Sequence, residues 1–519
     1  MKSKFNKKYL LLAILSMLLS AANGNAGETD KVSIGSAVES ESKKAPTTQL
    51  VSVNLAGTDS GNDRSFITAL SANGRFAVFD SFASDLVAND TNGTWDTFVR
   101  DFKTGTTTLV SVNSAGKNSG NSQSFGAALS ANGRFAVFNS NASDLVANDT
   151  NDTFDTFVRD LKTGTTTLVS VNSAGTASGN RGAGSELAVI SANGQFVAFT
   201  SSATDLVAND TNNLPDGFVR DLKTGTTTLV NVGIARPRPR PEIFRLTPAL
   251  SANGQFAAFT SRASDLVAND TNSQPDVFVR DLKTGTITLV SINSEGTASG
   301  FGLSANPVLS ADGRFVAFAS GANDLVVNDT NGTQDIFVRD LKTGTTTLVS
   351  VNSAGVGSGN SFSFEPVFST NGRFVAFTSF ASDLVANDTN GGIKDGFVRD
   401  LKTGTTILVN VGKLTNTRDF FSLTPVLSAN GRFAAFISRA SDLVANDTND
   451  LPDIFVRDLK TGTTMLASVN RAGTTSDNGQ LPTISLSANG RFVAFSSEAS
   501  DLVANDTNNA SDVFVRPTR

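Results

Sequence analysis

LSANGRFAVFDSFASDLVANDTNGTWDTFVRDFKTGTTTLVSVN, residues 70–113, decides the fold, because its pattern returns along the whole 519-residue chain. Self-similarity at a fixed period indicates a repeat architecture. The glycine of the Asn73-Gly74 turn recurs at Gly133, Gly194, Gly254, Gly313, Gly372, Gly431 and Gly490. The spacings are 59, 61 and 60 residues and then 59 residues four times, so residues 48–519 form eight units of about 59 residues.

Each unit contains four segments with the composition of β-strands. In the first unit, segment A covers residues 67–70, segment B residues 75–79, segment C residues 96–101 and segment D residues 106–112. Val, Phe, Thr and Ile fill these segments, and Asn73-Gly74 and Thr104-Gly105 supply the positive φ of tight hairpin turns. The sequence therefore predicts two hairpins in each unit, A with B and C with D.

Segment B indicates how the units pack. Phe76 and Val78 point to one face of the strand, and Ala77 and Phe79 point to the other, so both faces are apolar. A strand of this kind must be covered on both sides by other sheets. No 3.6-residue apolar stripe is present, which argues against helical repeats. Four-stranded sheets repeated in this way form a β-propeller, and an open solenoid is the alternative.

The two chain ends favour the closed ring. The repeated region begins with a lone D segment, TTQLVSVN at residues 47–54, and ends with segment C at residues 512–516, followed only by Pro517, Thr518 and Arg519. A ring in which the N-terminal strand completes the C-terminal sheet accounts for both ends and hides two sheet edges. The prediction is an all-β, eight-bladed β-propeller of four-stranded antiparallel blades spanning residues 47–519.

One repeat carries a family resemblance. FSTNGRFVAFTS at residues 368–379 and DGFVRDLKTGTT at residues 395–406 resemble the WD-repeat-like units of TolB-type propellers. The resemblance implies the fold in all eight units and little about function, because propellers host many activities. The 20-residue leader has no room for the α/β domain that precedes the propeller in TolB, and the connection from B to C is longer here.

The N-terminus and the composition set the expected compartment. Four lysines precede an apolar run from Tyr9 to Leu19, which predicts a secretory signal peptide at residues 1–26, followed by a flexible leader at residues 27–46 and a secreted or periplasmic protein. Removal of the signal changes the formal charge from −6 to −10, which disfavours nucleic acid. No later segment predicts membrane insertion, and we expect a monomer. The chain has no Cys and no His, so disulfides, imidazole ligands and Ser-His-Asp catalysis are excluded.

The connection between B and C repeats an Asp, an Asn two residues later and an Asp six residues later. Closely spaced Asp and Asn oxygens can bind calcium, although the spacing differs from that of an EF-hand and no cofactor is required by the sequence. The alternative is structural: Asx turns, with the second Asp paired to an Arg such as Arg100. In the sixth copy the interval is seven residues, from Asp388 to Asp395. The candidate metal ligands are Asp90, Asn92, Asp96, Asp149, Asn151, Asp155, Asp210, Asn212, Asp216, Asp270, Asn272, Asp276, Asp329, Asn331, Asp335, Asp447, Asn449, Asp453, Asp506, Asn508 and Asp512.

Two connections from D to A depart from the repeat, and both lie on the face that carries the long loops. One places arginines among prolines and the other adds adjacent phenylalanines, which fits an acidic partner or an ordinary Pro-rich loop. The candidate binding residues are Arg236, Arg238, Arg240, Arg245, Phe420 and Phe421. The leading hypothesis is a non-catalytic binding scaffold for a protein or polysaccharide partner, with no assignable catalytic residue. The alternative is a carboxylate-dependent glycan hydrolase or lyase.

Overall fold

The computed structural model describes residues 47–182, 188–231, 247–411, 425–479 and 483–519. These residues form eight four-stranded antiparallel sheets, which confirms the predicted all-β propeller. We number the blades by their A strands and call the strands of each blade A, B, C and D. The described residues contain no helix, and so none that is long and apolar enough to cross a membrane.

The strand bounds follow the repeat closely. Blades 1 to 4 consist of β2 (Ser65–Leu70), β3 (Phe76–Ser81), β4 (Asp96–Asp101) and β5 (Thr106–Leu109); β6 (Ser124–Leu129), β7 (Phe135–Ser140), β8 (Asp155–Asp160) and β9 (Thr165–Leu168); β10 (Val189–Ile190), β11 (Phe196–Ser201), β12 (Asp216–Asp221) and β13 (Thr226–Leu229); and β14 (Ala249–Leu250), β15 (Phe256–Ser261), β16 (Asp276–Asp281) and β17 (Ile287–Leu289).

The second half of the ring has the same order. Blades 5 to 8 consist of β18 (Ser304–Leu309), β19 (Phe315–Ser320), β20 (Asp335–Asp340) and β21 (Thr345–Leu348); β22 (Ser363–Phe368), β23 (Phe374–Ser379), β24 (Asp395–Asp400) and β25 (Thr405–Leu408); β26 (Val426–Leu427), β27 (Phe433–Ser438), β28 (Asp453–Asp458) and β29 (Thr463–Leu466); and β30 (Thr483–Leu486), β31 (Phe492–Ser497) and β32 (Asp512–Pro517), completed by β1 (Gln49–Leu50).

The N-terminal strand closes the ring, as the chain ends predict. β1 pairs antiparallel with β32, with Leu50 opposite Phe514, and the next residue extends the pairing through a 2.7 Å bond from the Val51 N–H to the Val513 carbonyl. Leu50 packs into the core between blades 7 and 8, and Val51 into the core between blades 8 and 1. The A strand of every blade contacts the A strands of both neighbouring blades, so these strands surround the axis.

The core consists of apolar layers between neighbouring blades. In blade 1, Phe79 and Phe98 stack with ring centroids 5.7 Å apart and face small residues of blade 8. Val78, on the opposite face of the same strand, packs against Phe138 of blade 2. The predicted two-sided burial of segment B is confirmed, because one face of the strand packs on the preceding blade and the other face packs on the next blade.

The face that carries the A–B and C–D turns, here called the turn face, is held by one contact repeated around the ring. Gly133 has φ +70°, and a Cβ built on it would lie 2.3 Å from the ring of Phe76 in the preceding blade. Gly74 contacts Phe492 in the same way across the closure. In seven of the eight A–B turns the glycine is therefore required both by the positive φ and by the close approach of the preceding blade.

Candidate functional site

The opposite face, called the loop face, is built from B–C and D–A loops that tie neighbouring blades together. The loop after blade 1 returns to its own blade through a 2.8 Å bond from the Ser119 N–H to the Asn89 carbonyl. Two residues later it reaches blade 2, where the Asn121 N–H donates to a carboxylate oxygen of Asp144 at 2.8 Å. Each D–A loop of this form therefore joins the B–C loops of two blades and gives this face a fixed scaffold.

The repeated Asp residues lie under the loop face. Asp96, the first residue of strand C, has no exposed surface, and Asp90 in the preceding loop is 8% exposed. We call these two residues and their counterparts in other blades the carboxylate pair. The Ser111 hydroxyl donates to Oδ1 of Asp96 at 2.5 Å, whereas Oδ2 of Asp96 and both oxygens of Asp90 have no hydrogen-bond donor in acceptable geometry.

Burial determines the protonation chemistry of the pair. The pKa of Asp96 is raised to about 8, mainly by desolvation and also by the charge of Asp90, while the hydrogen bond from Ser111 opposes the shift. The pKa of Asp90 is also raised, mainly by burial, and is lowered in part by the nearby Asn92 N–H and the Ser119 hydroxyl. The Asn92 N–H also donates to that hydroxyl, at 3.1 Å.

The predicted pairing of the second Asp with Arg100 is wrong. Asp96 accepts from Ser111, and Arg100 donates to Thr107 at 2.9 Å. The two residues are four positions apart along one strand, a separation of about 13 Å, which places them at opposite ends of it. The predicted Asx turn does form, because the Thr94 N–H donates to Oδ1 of Asn92 at 2.9 Å.

Six blades share this arrangement, and its serine is a functional position that the sequence pattern did not predict. The hydroxyl donors to the second Asp are Ser111, Ser170, Ser291, Ser350, Ser468 and, across the closure, Ser52. In blades 3 and 6 an amide replaces the hydroxyl: Asn231 donates to Asp216, and Asn410 donates to Asp395. The change of SVN to NVG in the repeat was the available signal.

Large exposed hydrophobic residues form a second feature of the loop face. Phe301 is 81% exposed, Val327 94%, Val356 72%, Phe362 52% and Phe380 38%. We call these five residues the apolar patch, because all of them lie in loops that lead into or belong to blades 5 and 6. Among the described residues, the other large hydrophobic residue with comparable exposure is Leu55, in the loop between blades 8 and 1.

The loops that carry the apolar patch are fixed to each other by hydrogen bonds. The Phe301 N–H donates to a carboxylate oxygen of Asp324 at 3.0 Å, which joins the D–A loop to the B–C loop of blade 5. In blade 6 the Phe380 N–H donates to the Phe362 carbonyl at 2.9 Å. Comparison of the repeats would have found the patch, since Val327 replaces the Ala of the DLVAND segment.

An aromatic cluster lies at the same face of blade 1. The half-buried Trp95 ring lies 5.8 Å from the ring of Phe66 and 5.7 Å from that of Phe82. The Arg64 guanidinium lies 5.3 Å from the Trp95 ring centroid. Because these neighbours already engage the indole, little of its surface remains for stacking on a ligand.

Several predicted candidates cannot be placed. Arg236, Arg238, Arg240, Arg245, Phe420 and Phe421 lie outside the described residues, as do Glu186, Glu242 and Asp419. The described acids outside the repeat include Glu365, whose carboxylate lies 3.8 Å from the Lys394 ammonium, and Glu498. Within the described residues, no group of three or more Asp or Glu side chains is arranged to hold a metal ion.

Comparison with known proteins supports the fold and no closer relationship. No protein-family model matches the chain, and no curated protein matches it. Among solved structures, TolB from Acinetobacter baumannii is 15% identical, with a TM-score of 0.31 over 67% of this chain and 64% of that chain. Dipeptidyl peptidase 4 of Porphyromonas gingivalis is 12% identical, with a TM-score of 0.50 over 84% of this chain and 56% of that chain. This chain thus spans less than two thirds of either protein.

A third similar structure is an oligogalacturonate lyase in complex with manganese, which is 11% identical, with a TM-score of 0.43 over 91% of this chain and 96% of that chain. Similarity at these identities shows the fold alone, and one fold hosts many activities, so these matches do not separate a binding role from catalysis.

Proposed function

We propose that this protein is a non-catalytic, secreted or periplasmic scaffold that holds a protein partner against its loop face at blades 5 and 6. The observation that carries the proposal is the apolar patch, with exposures between 38% and 94% in neighbouring loops of a single face. Large exposed apolar patches on soluble proteins mark interaction sites. The loops are held by backbone hydrogen bonds, so little ordering entropy opposes binding.

The composition of the patch favours a protein over a polysaccharide. Val327 and Val356 are aliphatic and offer no ring face for stacking on a sugar, whereas they suit an apolar protein surface. The tryptophan of blade 1 is covered by Phe66, Phe82 and Arg64, so it is poorly placed as a stacking platform. Polysaccharide binding is therefore an outcome of the test below and not part of the proposal.

The described carboxylates favour binding over catalysis. Those with raised pKa values are the carboxylate pairs together with Asp80 and Asp477, which are 7% and 4% exposed. Hydrolysis by two carboxylates requires both groups to reach a substrate at a set separation. Groups buried beneath the loop face do not meet that requirement, and the eightfold repetition of the carboxylate pairs fits a structural task better than one asymmetric site.

The test compares patch variants with a matched control on the same face. Residues 27–519 would be used to isolate partners from the native envelope or medium, and the dissociation constant for the purified partner would then be measured. We expect the double variant F301S/V327D to weaken binding at least tenfold, because it removes two exposed apolar contacts. L55S, at a residue 63% exposed and distant along the ring, should leave binding unchanged.

Two results would contradict the proposal. Equal binding by F301S/V327D and wild type would show that the patch is not the contact surface. Turnover of a polysaccharide panel by the wild type, lost on replacement of solvent-accessible acids outside the repeat by amides, would show that the protein is an enzyme. Thermal unfolding of each variant, expected to match the wild type because the substituted side chains are exposed, confirms that folding is intact.

A further inference from the structure

The carboxylate pairs present a chemical requirement that the protein side chains do not meet. In blades 1, 4, 5, 7 and 8 three carboxylate oxygens of each pair lack a hydrogen-bond partner, and in blade 2 two do. Buried polar atoms in folded proteins normally have a partner, so a recurrent set without one indicates a ligand or a shared proton. The unpartnered oxygens are Asp90 Oδ1 and Oδ2 and Asp96 Oδ2; Asp149 Oδ1 and Asp155 Oδ2; Asp270 Oδ1 and Oδ2 and Asp276 Oδ2; Asp329 Oδ1 and Oδ2 and Asp335 Oδ2; Asp447 Oδ1 and Oδ2 and Asp453 Oδ2; and Asp506 Oδ1 and Oδ2 and Asp512 Oδ2.

The surrounding loop is fixed by contacts that do not use these oxygens. Asn92 donates through its amide to the Gly120 carbonyl at 2.8 Å and accepts the Thr94 N–H, so it holds the B–C loop against the D–A loop. The Ser119 hydroxyl accepts the Thr91 N–H at 2.9 Å. None of these three contacts uses the oxygens of Asp90 and Asp96, although the Asn92 N–H, the Ser119 hydroxyl and the Asp96 carboxyl lie close enough to Asp90 to lower its pKa.

We propose that the carboxylate pairs of blades 1, 2, 4, 5, 7 and 8 each bind a calcium ion at the loop face. Two carboxylates provide charge and hard oxygen ligands, and backbone carbonyls or water complete the six to eight oxygens that calcium takes. A chain with no Cys or His offers nothing for zinc or another soft metal. The Asn of the repeat positions the loop and is not itself a ligand, which revises the set predicted from sequence.

In blade 6 a protein donor takes the place that we propose for the ion in the six blades. There the Asp388–Asp395 interval is one residue longer, and the Asn390 amide donates to Oδ2 of Asp395 at 2.8 Å. An amide hydrogen therefore occupies the oxygen that is unpartnered in the six blades. Blade 3 is also outside the proposal, because the Asn212 N–H donates there to Oδ1 of Asp210 at 3.4 Å.

The proposal predicts both a stoichiometry and its dependence on single residues. Residues 27–519, first treated with a chelator, would be equilibrated with calcium, and bound metal would be measured by equilibrium dialysis. We expect about six equivalents, with a dissociation constant on the order of 10⁻⁴ to 10⁻³ M, the range of extracellular calcium modules. Magnesium, which demands compact octahedral geometry, should bind more weakly.

Variants in two blades separate specific binding from general attraction of a cation to an acidic protein. D96N and D90N should each remove one equivalent, and D388N in blade 6 should remove none. Asp96 accepts the hydrogen bond from Ser111 and Asp90 does not, so D90N should remain folded even if D96N unfolds. Calcium should also raise the thermal midpoint of the wild type.

Two results would overturn the proposal. The first is absence of saturable calcium binding by the folded protein up to millimolar concentration, which would mean that each pair holds a proton. The second is a stoichiometry that neither D90N nor D96N changes. The measurement does not involve the apolar patch, so its result is independent of whether the proposed function is correct.

Discussion

Removal of the N-terminal strand should destabilise the whole ring. We compare versions of the chain that begin at Gly27, Thr47 and Leu55; only the last lacks β1 and the four residues after it. The lost segment buries Leu50, Val51 and Val53, whose exposures are 9%, 0% and 7%. Burial of each such side chain contributes about 1.5–3 kcal/mol.

A polar contact adds to the loss. Ser52 donates to a carboxylate oxygen of Asp512 at 2.5 Å, and its removal leaves that buried carboxyl without the donor, at a cost of about 1–3 kcal/mol. The total is about 6–12 kcal/mol. An unfolding entropy of about 2.1 cal/mol/K per residue gives about 1 kcal/mol/K for residues 48–519, so the thermal midpoint should fall by about 6–12 °C if unfolding is cooperative.

Differential scanning calorimetry of the three versions measures the effect. The versions beginning at Gly27 and Thr47 should melt within about 1 °C of each other, because both keep β1. A synthetic peptide of residues 47–54 should raise the midpoint of the version beginning at Leu55, because it can refill the edge of blade 8. Equal midpoints for all three versions would refute closure of the ring by this strand.

Two further substitutions test the turn face. G133A should destabilise the protein by about 1–3 kcal/mol more than G116A, as measured by urea denaturation. Both glycines have φ near +70°, but of the two only Gly133 has another atom within 4 Å of an added Cβ. Equal losses of stability would contradict tight packing between blades. R75Q should lower stability at pH 7 and have little effect near pH 2. The hydrogen bond from Arg75 lowers the pKa of Asp101 to about 2, below its ordinary value of 3.8. The stabilisation is therefore present above about pH 4 and is lost as pH falls through 2. R491Q is the control, since Pro517 occupies the position of that Asp in blade 8, and a loss that persisted at low pH would contradict the ion pair.

The fold could be predicted because the repeat and the chain ends restrict the topology. Eight units with a lone D segment at one end and a missing D segment at the other leave one closed arrangement, and β1 pairs with β32 as that arrangement requires. Strand limits were less predictable. Segment A was expected from residue 67, but β2 begins at Ser65, because a shift in register between Ile67 and Ala69 lets the strand continue past the apolar run.

The candidate site was predictable in spacing but not in environment. The Asp90 and Asp96 interval is visible in the sequence, but the burial of both depends on a D–A loop that packs from about 28 residues away through Ser119 and Gly120. Ser111, 15 residues beyond Asp96, is likewise brought to it by strand pairing. A local motif cannot show which distant donor reaches it, and for that reason the predicted pairing of Asp96 with Arg100 is wrong.

The two faces of the ring differ in how freely they can change. On the turn face the glycine of each A–B turn lies against a phenylalanine of the preceding blade, so a change in one blade must be matched in the next. Blades 3 and 6 have lost the serine and the common D–A loop sequence, yet Gly254 still packs on Phe196 and Gly431 on Phe374. The loop face can therefore accept new residues without opening the ring. This difference explains why Phe301 and the other exposed hydrophobic residues occur on that face, and why a partner that binds this protein should contact loops and not turns.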